Sequence, residues 1–169
     1  MTGTPLAELQ VATESSDQTE RLGEAIGVWL QPGDVVLLHG DLGAGKTTLT
    51  KGIARALGVA DTVSSPSFAL VNEYALPGFR LFHLDLYRLN DPADLESIGF
   101  PELTSAEDAI AIVEWPERAG ALLPDRYLLV DIAYVADGRR ELRVSGVPDS
   151  AWLERLPALR RELTSSWRD

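Results

Sequence analysis

The sequence predicts an α/β fold with parallel central strands and antiparallel hairpin additions, and three observations predict it. Short apolar runs, VVLL at 35–38 and AIAIV at 109–113, have the composition of strands buried on both faces of a parallel sheet. The first of them leads directly into a glycine-rich turn and then a helical pattern over 46–57, making a strand–loop–helix unit. Two pairs of strand-like segments are separated only by Ala75-Leu76-Pro77-Gly78 and by Ala136-Asp137-Gly138, so each pair folds back as a hairpin.

Taken in order, residues 15–30 place Leu22, Ala25, Ile26, Trp29 and Leu30 on one helical stripe. Asp17 and Glu20 have capping-box-like spacing at its start, and Gln31-Pro32-Gly33-Asp34 ends it. After the strand at 35–38 comes the helix 46–57, for which Gly58 is the stop. Beyond a Ser64-Ser65-Pro66 turn, FALVNEY and RLFHLDLY form the first hairpin. Asn90-Asp91-Pro92 reads as a helix start leading into ADLESIGF, and the strand 109–115 is ended by Pro116. YLLVDIAYV and RRELRVSG form the second hairpin. In the tail, 149–169, Trp152, Leu156, Leu159, Leu163 and Trp167 fall on helical spacing interrupted by Pro157. A helix closing the core is expected there, with a partner-docking surface as the alternative. One domain over 1–169 is expected, with its core at about 13–146.

Composition narrows the chemistry. A 169-residue chain that is 45% apolar can build a core without staples, and the absence of cysteine excludes thiolate catalysis and cysteine-ligated zinc. The segment MTGTPLAELQVATESSDQ lacks a basic start followed by an apolar stretch, and no apolar run approaches the ~20 residues that cross a bilayer. A cytoplasmic protein with no membrane association is therefore expected. The net charge of −11 opposes direct binding to a polyphosphate backbone, so any nucleic acid would be held by a partner. Arg139, Arg140, Arg143, Arg155, Arg160, Arg161 and Arg168 crowd the last quarter, where a solvated face is expected and a basic patch is the alternative.

Residues 40–47 read GDLGAGKT and fill every fixed position of G-x-x-x-x-G-K-[ST] between a predicted strand and a predicted helix. Glycines at this spacing let successive N–H groups converge on a phosphate, the helix N-terminus adds positive potential, and the lysine neutralises the β and γ oxygens. This context makes the fold P-loop NTPase-like, a three-layer sandwich, with ATP as the ligand. Asp41, Leu42, Gly43, Ala44, Gly45 and Lys46 would cradle the phosphates, with Thr48 near the α-phosphate. Thr47 would place its hydroxyl on Mg²⁺, and acids at the carboxyl ends of neighbouring strands would complete the site.

Asp85, after the apolar 81–84, and Glu114, after 109–113, fit that position, so Lys46, Asp85 and Glu114 are the candidate catalytic set. Asp131 competes, although YLLVDIAYV suggests a strand at the sheet edge. The loop Ser64-Ser65-Pro66-Ser67 reads equally as a γ-phosphate-sensing switch or an ordinary turn. Trp115 reads first as core and second as a shield of the site, and His83, isolated in its strand, receives no chemistry.

Together, GDLGAGKTTLTKGIARALG, SSPSFALVNEY, FHLDLYRL, ESIGFPEL and AIVEWPERAG resemble, in order and spacing from about 13 to 146, the TsaE (YjeE) family of ATPases of tRNA threonylcarbamoyladenosine biosynthesis. The D-L-Y-R-L and V-E-W-P blocks at these distances carry more specificity than the phosphate loop. The resemblance implies that Asp85 is the carboxylate of the second nucleotide motif and that Glu114 is a metal-associated acid beside a functionally sensitive Trp115. It implies that Thr13 and Ser15 help hold the nucleotide base. It also implies TsaB and TsaD as partners, with tRNA contacted through them and ATP hydrolysis supporting repeated turnover. The tail departs most from the family pattern, and without an evident catalytic base or arginine finger, hydrolysis by the isolated chain is expected to be slow.

Two other activities fit a phosphate loop. A small-molecule kinase needs an acceptor pocket and usually an arginine-bearing lid, for which 92–126 is short and acidic. A GTPase would carry an N-K-x-D-like guanine-reading motif, which this sequence lacks.

Overall fold

The computed structural model describes residues 8–66, 69–148 and 152–166. Its strands are β1 (Glu8–Thr13), β2 (Val35–His39), β3 (Val71–Leu76), β4 (Phe79–Asp85), β5 (Ala109–Glu114), β6 (Tyr127–Ala136) and β7 (Arg139–Val147). Its helices are α1 (Ser16–Val28), α2 (Lys46–Leu57), α3 (Ala93–Ser97), α4 (Phe100–Ser105) and α5 (Arg155–Ser166), with a 3₁₀ segment at Pro116–Leu122. The strands form one sheet in the order β1-β7-β6-β2-β5-β4-β3. Its centre is parallel, through β6/β2, β2/β5 and β5/β4, and both hairpins sit at its flanks, β3/β4 on one side and β6/β7 on the other.

Alternation across the sheet explains the wholly apolar runs, because each central strand is covered twice. Val36, Leu38, Ile110, Ile112 and Val130 point to a core made with Leu22 and Ile26 of α1, Leu49 and Ile53 of α2, and Leu156 and Leu159 of α5. Val35, Leu37, Leu84, Ala111 and Val113 point to the other face, packed by Leu95 of α3, Phe100 of α4 and Ala119.

Several elements differ from the sequence reading. The strand β1, antiparallel to β7, was not announced by the pattern, since only Leu9 and Val11 alternate within ELQVAT. The α1 cap is Ser15, whose hydroxyl accepts from the Gln18 N–H at 3.2 Å while Gln18 Oε1 accepts from the Glu14 N–H at 2.8 Å. Asp17 already lies inside the first turn, and Glu20 is drawn instead to Arg55 on α2. The ADLESIGF helix breaks into α3 and α4 at Gly99, which takes φ 72°. Asp131 is not on an edge strand, because β6 is paired on both sides, with β2 and with β7.

The arginine-rich end does not form a single solvated face. Arg155 is bidentate to the buried Asp34, at 2.6 and 3.1 Å, donates to the Trp29 carbonyl, and lies 3.9 Å from the Trp152 ring centroid, fastening α5 to the turn after α1. Arg140 also turns inward, whereas Arg139 and Arg143 stay half-exposed or more beside Glu14, Glu141 and Glu8. Ser67, Phe68, residues 149–151, Trp167 and Arg168 lie outside the described residues.

Helices α1 and α2 meet through glycine. A Cβ at Gly52 would lie 1.9 Å from the Glu20 carbonyl oxygen, and one at Gly23 2.3 Å from that of Leu49. Both obstacles are backbone, so the helices must separate to admit a methyl group. Gly52→Ala is expected to cost on the order of 3 kcal/mol by overpacking and to lower the melting temperature by roughly 6–12 °C, read by thermal unfolding. A parent-like melting curve would contradict this account of the contact.

Candidate functional site

The loop between β2 and α2 is shaped by three glycines for two reasons. The Ala44 N–H donates to the Asp41 carbonyl at 3.0 Å, closing a tight turn whose third residue, Gly43, has φ 80°, and Gly45 enters α2 in the left-handed region at φ 116°. Gly40 is held by a neighbour, because a Cβ there would sit 2.5 Å from the Ile132 carbonyl oxygen of β6. The result is a helix N-terminus facing a small recess of about 320 Å³, bordered by Gly43, Gly45, Lys46, Thr47 and Thr48. Asp41 contributes its carbonyl to the loop, and Leu42 is exposed at the rim.

Lys46 folds back along this loop. Its ammonium donates to the carbonyls of Gly40 at 2.5 Å and Asp41 at 2.8 Å and lies 4.2 Å from the Trp115 ring centroid. Burial pushes its pKa below the ordinary lysine value, opposed by the negative charges of Glu114, Glu117, Asp85 and Asp41. An anion entering the recess would add to that opposition and favour the charged ammonium.

The parallel register brings the predicted acids together. Asp85 and Glu114 are cross-strand partners at the ends of β4 and β5, and Leu38 at the end of β2 is the other partner of Glu114. Both acids border the same recess as Thr47. The Thr47 hydroxyl donates to Glu114 Oε1 at 3.2 Å. Asp85 accepts from the Ser65 hydroxyl through one oxygen and from the Tyr87 N–H at 3.0 Å through the other, so the Ser64–Pro66 turn reaches the acid cluster. Two carboxylates and a hydroxyl form an incomplete oxygen set, the kind that suits a Mg²⁺ whose other ligands are phosphate and water. Among the described residues no group of three His, Cys, Asp or Glu side chains could hold a metal unaided.

Two side chains that the sequence reading left without a role at the site, and a third that it read first as core, stand close to it. His83, fully buried, has Nε2 2.5 Å from Glu114 Oε2. Arg140 borders the recess and donates to the Ala44 carbonyl at 2.9 Å and to the Gly138 carbonyl at 2.9 Å. Trp115, read first as core, takes φ 60° at the end of β5 and stacks on Tyr87 with centroids 4.9 Å apart, forming a wall of the recess. The one sequence signal of His83 was a polar residue inside the run Leu81–Leu84, which is buried at every position.

Other expected residues lie apart from the recess. The Thr13 hydroxyl is buried against that of Thr19 at 2.7 Å, and the Ser15 hydroxyl is engaged in the α1 cap. Asp131 pairs with His39 at 2.8 Å and faces a separate recess of about 660 Å³ on the other side of Asp41 and Leu42. No helix among the described residues is long and apolar enough to cross a membrane.

Comparison with known proteins agrees with this geometry. The profile of the family described as "Threonylcarbamoyl adenosine biosynthesis protein TsaE" matches residues 13–142. The tRNA threonylcarbamoyladenosine biosynthesis protein TsaE of Haemophilus influenzae is 45% identical over 105 residues, 62% of this chain and 66% of that protein. Its namesake from Bacillus subtilis is 34% identical over 142 residues, 84% of this chain and 88% of the relative. The crystal structure of Bacillus subtilis YdiB superposes with a TM-score of 0.74 at 31% identity, covering 94% of this chain and 95% of that one.

Proposed function

Since the chain belongs to the TsaE family and so has a role in tRNA threonylcarbamoyladenosine biosynthesis, we propose that it serves there as a Mg²⁺-dependent ATPase subunit with a P-loop NTPase-like three-layer sandwich. The observation that carries this reading is the convergence of Lys46, Thr47, Asp85 and Glu114 on one recess at the α2 N-terminus. Mg²⁺ would be held by Thr47, Asp85 and Glu114 and would supply positive charge to offset the negative charge that builds up as the γ-phosphoryl leaves. The chain supplies the remainder. The amides from Gly43 to Gly45 and the helix end bind the β-phosphate, and Lys46 exchanges its two carbonyl partners for phosphate oxygens. Thr47, Asp85 and Glu114 orient the metal, and Trp115 excludes water from one side.

Among the described residues no arginine other than Arg140 borders the recess, and Arg140 is engaged by two carbonyls. Slow hydrolysis by the isolated chain, with stimulation by TsaB and TsaD, is part of the proposal, as is contact with tRNA through those partners. Within 92–126, the short acidic stretch that a kinase lid would have to occupy, Leu95 and Phe100 are fully buried, which favours the ATPase over a small-molecule kinase. In calorimetry, Mg·ATP is expected to bind the chain, and pull-down is expected to capture TsaB and TsaD in a nucleotide-dependent way. Absence of binding heat with and without the partners, or phosphorylation of a metabolite by the lone chain, would overturn the reading.

A further inference from the structure

The imidazole of His83 is 0% exposed, lies within β4 between β5 and β3, and is not among the residues around the recess. A leucine would fill an apolar position there at less desolvation cost, and the His83 Nδ1 atom has no hydrogen-bond partner among the described residues. The ring's one polar contact among the described residues is the 2.5 Å approach of Nε2 to Glu114 Oε2. Glu114, itself 2% exposed, offers its second oxygen to the Thr47 hydroxyl at 3.2 Å. A carboxylate that accepts from Thr47 and takes up a cation is an acceptor, so the imidazole donates from Nε2. The backbone register explains the reach: His83 is paired with Ile112, two residues before Glu114 and on the same side of β5, so ring and carboxylate lie diagonally across one sheet face.

We infer that His83 is a positioning residue that fixes the Glu114 carboxylate by holding Oε2, leaving Oε1 as the oxygen presented to Thr47 and the metal. The inference rests on the proposed Mg·ATP site. A glutamate has three side-chain torsions, and a carboxylate anchored at one oxygen meets the cation already oriented. His83 thereby governs how tightly the metal is held without touching the nucleotide.

The test compares His83→Leu, which removes the donor, with His83→Gln, whose amide N–H can reach Glu114 as Nε2 does. Mn²⁺ binding to the chain loaded with a non-hydrolysable ATP analogue is read by electron paramagnetic resonance, beside metal-free nucleotide affinity by calorimetry and kcat and KM in the presence of TsaB and TsaD. Removing an outer partner of a metal ligand is expected to weaken Mn²⁺ binding in His83→Leu by ~10- to 100-fold and to lower kcat, with metal-free nucleotide affinity and the KM for ATP near the parent values. His83→Gln is expected to recover most of the Mn²⁺ affinity. Parent-like Mn²⁺ binding by His83→Leu would overturn the inference, as would equal loss in the leucine and glutamine variants. If His83→Leu does not fold, His83→Asn, too short to reach Glu114, replaces it; equal Mn²⁺ affinity of the asparagine and glutamine variants then overturns the inference. Failure of the parent chain to bind Mn²⁺ with nucleotide refutes the underlying ATPase site and is distinguishable from both.

Discussion

Lys46→Ala is expected to weaken ATP binding by about 100-fold or more, the equivalent of about 3 kcal/mol for charge-assisted hydrogen bonds lost to a polyphosphate. Among the described residues no other lysine or arginine bordering the recess is free to compensate, because Arg140 is committed to the carbonyls of Ala44 and Gly138. The fold should survive. Lys46 contributes two hydrogen bonds to loop carbonyls and little core packing, and its removal also relieves the cost of burying an ammonium. Calorimetry with Mg·ATP and a thermal melt separate the two effects. Parent-like nucleotide affinity in a folded variant would remove the phosphate-loop assignment.

Glu114 is expected to behave differently according to what replaces it. Glu114→Gln keeps one oxygen to accept from His83 and turns its amide N–H to the Thr47 hydroxyl, which can accept, so its melting temperature should stay within a few degrees of the parent. It loses the charge on the cation, and Mg²⁺-dependent hydrolysis in the presence of TsaB and TsaD should fall by about 100-fold or more. Glu114→Ala should lose activity to the same degree and also stability, by about 1–3 kcal/mol, because it strands the buried His83 ring. Hydrolysis by Glu114→Gln at the parent rate would exclude Glu114 as a metal-directed acid, and equal melting temperatures for the two variants would contradict the His83 contact.

The parts of the fold that could be read from sequence are those where one physical rule acts alone. Val35–Leu38 and Ala109–Val113 are apolar at every position because helices cover both of their faces, and Gly58 ends α2 because it can take φ 100°. The loop was legible because its spacing is tied to amide geometry, although its first glycine has a scaffold reason that no motif states. At Gly40 the carbonyl of Ile132, more than ninety residues away in the chain, forbids a side chain.

What escaped the sequence reading depends on long-range register. The β1 strand is recognisable only once β7 is in place to receive it. His83 gains its partner from a strand that follows much later, and Arg140 looked like one more surface arginine until β7 carried it over the loop. Asp131 was set aside as an edge residue when β6 is in fact interior, a strand order that local pattern does not encode. The α1 cap was misread by two residues because both Ser15/Gln18 and Asp17/Glu20 have suitable spacing, and only the demand of Arg55 for Glu20 decides between them.

Beyond the point where β2 ends, residues 132–134 of β6 still belong to a three-stranded stretch with β7 and β1, and only the hairpin tip at 135–139 is a two-stranded ribbon. Such ribbons are marginal in water unless something braces them. The flat fork of Arg140, spanning the Ala44 and Gly138 carbonyls and lying 5.7 Å from the Tyr134 ring centroid, is that brace. Ribbon tip and glycine-rich bend therefore share one rigid strut, and neither can sway by itself.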